Sequence, residues 1–315
     1  MIPTPSCFVR HAVAIGAVGL AASCAPAWAL TITFDYTYDT AGFFSGANAG
    51  RRDLLNAAAA AYTTRLGDSL SAIAPAGGNA WTATFANPSS ASPGTLSLSN
   101  LSIASDTIVI YVGAVDLGAG ALSRSSAGGS TASGSSAWIN TVSARGQTGA
   151  LAGTPTDFGP WGGSITFSST ASWYFDPNPA TTEPFPNQAD FYSIASHEIG
   201  HVLGLGTAGS WFAHVSGGNF TGANAVAANG GPVPLSASND HFAHGTLSTA
   251  LGSGATQGVM LDSVATLGAR TALTALDLAA LQDVGWAVVP EVRTLAWAAV
   301  LGAAGWLRAR RGRRA

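Results

Sequence analysis

The segment His197-Glu198-Ile199-Gly200-His201 constrains this chain more than any other stretch, because it asks for a helix with no face to spare. Residues four apart on a helix project from the same side, one turn above the other, so His197 and His201 can share one metal ion. Glu198, rotated by roughly 100° from His197, sets its carboxylate beside that ion, where it can hold and deprotonate a water. Phe191, Ala195, Ile199 and Val202 recur at helical spacing and form an apolar stripe away from the two histidines. One side of the helix is therefore expected in core and the other against a site. Asn187, three residues ahead of Asp190, reads as its N-cap with a second acceptor at the third helical position. Gly204 reads as a left-handed cap at the other end, and Gly206 as a flexible exit.

Two imidazoles do not complete a metal site, and the inventory of further ligands is short. Both cysteines, Cys7 and Cys24, fall within residues 1–29, which read as a secretory signal. Arg10 and His11 precede the apolar run 12–20 there, and Ala27-Trp28-Ala29 offers small residues at the cleavage positions. A lipoprotein signal ending at Cys24 is the minority reading. Without those cysteines the mature protein has no disulfides and no thiolate ligands. Three histidines remain beyond the motif, His214, His241 and His244, and spacing alone leaves all three open as the third ligand. The chain has no Lys, and only 9% of its residues are charged, which suits an exported, loop-rich protein. Between residues 30 and 289 there are 6 Arg against 15 acidic residues, a net charge of −9, which argues against nucleic acid as a partner.

With Gly204 the motif becomes His-Glu-x-x-His-x-x-Gly, which resembles the metzincin zinc endopeptidases. Their fuller form ends in a third His three residues after the Gly, a place held here by Thr207, a poor zinc ligand. Leishmanolysin-like metzincins are the closer resemblance, since their third His lies tens of residues further on, followed by a bulky aromatic and then by the Met turn. His241-Phe242, with Met260 in Gly258-Val259-Met260-Leu261-Asp262, resembles that arrangement. The resemblance implies Zn²⁺ held by His197, His201 and His241, with His214 and His244 as rivals to the last. It implies Glu198 as general base toward a zinc-bound water, and Met260 as a packing residue beneath the metal. The implied fold class is α+β: a metzincin-like zincin catalytic domain with a twisted, mostly parallel sheet, an active-site helix and a loop-rich C-terminal subdomain.

The remaining pattern is read against that expectation. Residues 30–38 alternate as a half-buried strand, and 48–70 form an amphipathic helix through Leu54, Leu55, Ala58, Ala59, Tyr62 and Leu66. Residues 95–103 and 107–112 are further strands. The Gly/Ser-rich interval 118–136 reads as loop. Residues 164–168 and 172–175 read as two strands, either of which is a candidate for the cleft edge along which metzincins bind extended substrate. Residues 273–286 read as a closing helix capped by Thr274 and Asp277 and stopped by Gly285.

Beyond Val289-Pro290-Glu291-Val292 comes an uncharged run, 294–307, and then Arg308, Arg310, Arg311, Arg313 and Arg314. Fourteen residues fall short of the roughly 20 that span a bilayer unaided. The layout resembles the PEP-CTERM sorting signal of Gram-negative bacteria, read by exosortase-like machinery, although Val292 stands where that signal has its second Pro. A simple tail anchor is the alternative.

Residues 1–29 are thus expected as signal peptide, 30–288 as catalytic domain and 289–315 as sorting or anchor segment. The protein would be exported to the cell surface or medium, touching the membrane through its tail before processing. Its activity would be endopeptidase hydrolysis of protein or peptide substrates. A catalytically degenerate surface or biofilm-matrix protein on the same fold is the rival reading, and a metal hydrolase of non-peptide substrates a third.

Overall fold

The computed structural model describes residues 30–289 other than Pro93 and Thr182. The expected signal segment and the tail from Pro290 onward lie outside the described residues. The chain opens with strand β1 (Thr31–Asp35), helix α1 (Arg51–Thr63), strands β2 (Ala80–Ala86), β3 (Thr95–Ser99), β4 (Thr107–Val115), β5 (Ser123–Ala127) and β6 (Gly129–Ser133), and helix α2 (Ser136–Ala144). Strands β7 (Gly162–Ser168), β8 (Trp173–Tyr174) and β9 (Ala189–Asp190) lead into helix α3 (Phe191–Val202). Helices α4 (Gly209–Ala213), α5 (Ala223–Asn229) and α6 (Ala275–Val284) follow, separated by turns and strands of two or three residues. The fold is mixed α+β, with several sheets.

The main sheet runs β1-β4-β7-β5. Its first three strands are parallel, while β5 joins β7 antiparallel, pairing Ser123 with Phe167. Strand β4 buries Ile108, Ile110, Val112 and Ala114, and every residue of β7 is buried, as befits strands enclosed on both faces. A second sheet, β3-β2-β6, is antiparallel and shields its own cluster of Trp81, Phe85, Tyr111 and Trp161.

Helix α1 presents Leu54, Leu55, Ala58, Ala59 and Tyr62 to the main core, the face expected for it. It is shorter than expected because residues beyond Thr63 have other partners. The Gly67 amide donates to Ala287 O, and the Leu70 amide donates to Asp106 Oδ1. Helix α3 packs its apolar stripe against α1, and Phe191 sits among Phe43, Phe44, Phe167, Trp173 and Phe175. Burying such a side chain contributes about 1.5–3 kcal/mol. The closing helix α6 has the expected capping box of Thr274 and Asp277 and stops at Gly285.

Three expectations need correction. The N-cap of α3 is Asp190, not Asn187. Residues 189–190 are extended in β9, paired with β8, and the Asp190 carboxylate accepts from the Ser193 amide and hydroxyl. Asn187 has φ 63°, in the left-handed region. The interval 118–136 is not a loop, since it holds β5 and β6. Neither 164–168 nor 172–175 lines the cleft that holds His197 and Glu198: the former lies in β7, between β4 and β5, and the latter contains β8, which pairs with β9. The outer strand of the main sheet on that side is β5. No described helix is long and apolar enough to cross a membrane.

Candidate metal centre

Helix α3 places the His197 and His201 Nε2 atoms 3.0 Å apart. His241 reaches them from a loop forty residues further along, with its Nε2 3.1 Å from each. That reach depends on close contact at Gly206. A Cβ there would lie 1.9 Å from Asp240 O, and φ is +69°, so only glycine lets the chain leaving α3 pass against the residue before His241. Phe242 fixes the loop from the other side. It is fully buried beside Trp211 and Phe220, and its amide donates to Leu261 O.

The Nδ1 atoms decide what the three Nε2 atoms are. His197 Nδ1 lies 2.9 Å from Met260 O, His201 Nδ1 2.8 Å from Leu205 O, and His241 Nδ1 2.7 Å from Asp240 Oδ1. Carbonyl and carboxylate oxygens only accept, so each Nδ1 is the donor of its contact, and in the Nδ1–H tautomer of imidazole the Nε2 presents a lone pair. Burial, with the neighbouring His197 second, pushes the His201 pKa down to about 4, which keeps it neutral at ordinary pH. Three imidazole Nε2 atoms converging on one point in this way suit a shared cation. The centre of a triangle with sides of 3.0–3.1 Å is about 1.8 Å from each corner, close to the usual ~2.0–2.1 Å between a metal ion and imidazole nitrogen, so the three residues would be able to share one ion. These three residues can hold a metal, and its identity is not fixed by the geometry.

Glu198 is buried in the same cleft, of about 440 Å³. Its Oε1 accepts from Ser123 Oγ at 2.6 Å, and its Oε2 is buried with no hydrogen-bond partner among the described residues. Beneath the histidines, Met260 is buried, with its methyl group and the Tyr62 hydroxyl both close to Gly200. Tyr62 donates to Ser196 O at 2.7 Å. The turn at Met260 is held by Asp277, whose two oxygens accept from the Met260 and Leu261 amides at 2.9 and 3.0 Å. Asp277, expected only as a cap, thus also braces the backbone that carries the His197 acceptor.

The other expected candidates lie elsewhere. His214 contacts Asp283 O and packs on Phe220, and His244 is exposed and paired with Asp262. The Thr207 hydroxyl donates to His201 O, closing the end of α3. Sequence reasoning missed Ser123 and Asp240. Asp240 had a signal, an acid adjoining a candidate ligand. Ser123 had none, lying in a Ser/Gly-rich stretch. Comparisons of the chain with protein families, with curated proteins and with solved structures found no match.

Proposed function

We propose that this chain is a zinc-dependent endopeptidase of metzincin type, of the leishmanolysin-like kind whose third histidine comes from a distant segment. The observation that carries the reading is the convergence of the three Nε2 lone pairs, each fixed by an acceptor behind it, in a cleft that also holds the Glu198 carboxylate. The parallel strands with an antiparallel edge, the glycine exit of α3, the Met260 turn and the closing helix support the zincin-like part of the reading. Zinc is favoured by an all-imidazole donor set with three protein ligands.

His197, His201 and His241 would hold the zinc, which would supply Lewis acidity toward a water and the scissile carbonyl. Glu198 takes the proton of the attacking water on Oε2 and returns it to the leaving amine. Strand β5 lines the cleft, and no described strand pairs with its outer edge, so an extended peptide can add there through backbone hydrogen bonds. The test is Glu198→Ala. It retains zinc and loses hydrolysis of unfolded casein, because the carboxylate is not itself a ligand. Wild type and variant that both hold zinc, with neither cleaving, would instead favour a degenerate surface protein.

Export to the surface or medium of a Gram-negative cell, with exosortase-like processing of the tail, is part of the same proposal. It rests on the sequence at 1–29 and 289–315. The mature protein is expected to begin near Leu30, and N-terminal sequencing that finds Met1 or Cys24 retained overturns it.

A further inference from the structure

Strand β5 turns alternate side chains to opposite sides. Arg124 donates to the carbonyls of Ser90 and Ala91, while Ser123 and Ser125 face α3. Both serines end on the same residue: Ser125 Oγ donates to Glu198 O at 3.0 Å, and Ser123 Oγ donates to Glu198 Oε1 at 2.6 Å. Oε2 has no partner among the described residues, so the two carboxylate oxygens are unequal. We propose that Ser123 is a positioning residue for Glu198, tying Oε1 down so that Oε2 alone exchanges the proton; its kinetic consequence rests on the peptidase reading. A hydroxyl bond to an ionised carboxylate is short and strong. It also survives protonation, since Oε1 remains an acceptor when Oε2 carries the proton. Glu198 therefore keeps one orientation while it takes the proton and while it gives it back, which is the geometric control that proton transfer needs.

The experiment uses the full chain loaded with zinc. On labelled unfolded casein, Ser123→Ala lowers kcat by about 10- to 100-fold with KM changed by less than about two-fold, the range for a misplaced catalytic group. Zinc per chain is unchanged, and Ser123→Thr, which keeps the hydroxyl, restores most of the rate. A second readout does not require activity. The chain has three glutamates, Glu183, Glu198 and Glu291, so labelling the glutamate carboxyl carbon gives three NMR signals, with Glu198 assigned by its loss in Glu198→Gln. Ser123→Ala moves the Glu198 signal and leaves the other two, and Ser123→Thr returns it. An unmoved Glu198 signal overturns the contact, and an unchanged kcat in zinc-loaded Ser123→Ala overturns the positioning role. If the wild type fails to cleave casein, the peptidase reading falls, and the carbon signal alone decides whether Ser123 holds Glu198.

Discussion

Each imidazole of the centre is oriented from behind by a different part of the chain: His197 by the Met260 carbonyl, His201 by the Leu205 carbonyl and His241 by the Asp240 carboxylate. Such partners typically contribute 10- to 100-fold in metal affinity, and the ligands themselves more. His241→Ala is therefore expected to lose stoichiometric zinc. His214→Ala and His244→Ala are expected to keep it, because those rings bind Asp283 O and Asp262, away from the three converging nitrogens. Metal analysis of the three purified variants checks this, and full zinc in His241→Ala would refute the ligand set. At this scale the helical part of the site was legible, because the period of a helix fixes where residues 197, 198 and 201 point. His241 was legible only as one of three, since loop geometry follows no period, and its place depends on contacts at Gly206 and Phe242.

Helices α1, α3 and α6 and strands β1, β3, β4, β7 and β8 were legible in the sequence, whereas α2, β2, β5 and β6 were not. The buried faces of α1 and α6 matched their apolar spacing and capping residues. Strands β5 and β6 were invisible because their sequences, Ser-Arg-Ser-Ser-Ala and Gly-Ser-Thr-Ala-Ser, have no apolar alternation. Their neighbours make them strands: β7 supplies the ladder for β5, and β2 the ladder for β6. The start of α3 was misread for a related reason, since the extended pairing of β9 with β8 holds the chain out of helix until Asp190. The exit of α3 carries a prediction. Gly206→Ala puts a methyl into the Asp240 carbonyl at a left-handed position, where strain alone costs about 1–3 kcal/mol. The variant should melt at lower temperature and bind zinc more weakly than wild type, as thermal unfolding with and without zinc will show. Equal zinc affinity would mean that Gly206 does not set the place of His241.

Across the molecule, the cleft draws together β5, helix α3, the loop at His241 and the turn at Met260, segments spread over more than half of the described chain. Its floor is continuous with the main core, which runs from Leu30 to Trp286. Arg270, half-buried and paired with Asp176 and Asp190, ties the chain beyond the Met260 turn to the start of α3. The centre is thus a product of the whole fold, with only its helical part, two of the three histidines and Glu198, written locally. The most direct test of the account is X-ray absorption at the zinc edge of the zinc-loaded protein. The expected spectrum is one zinc per chain with three imidazole nitrogens at about 2.0–2.1 Å and one further light atom, an open catalytic arrangement. A zinc with two imidazoles or fewer, or a fourth protein ligand closing the site, would contradict it.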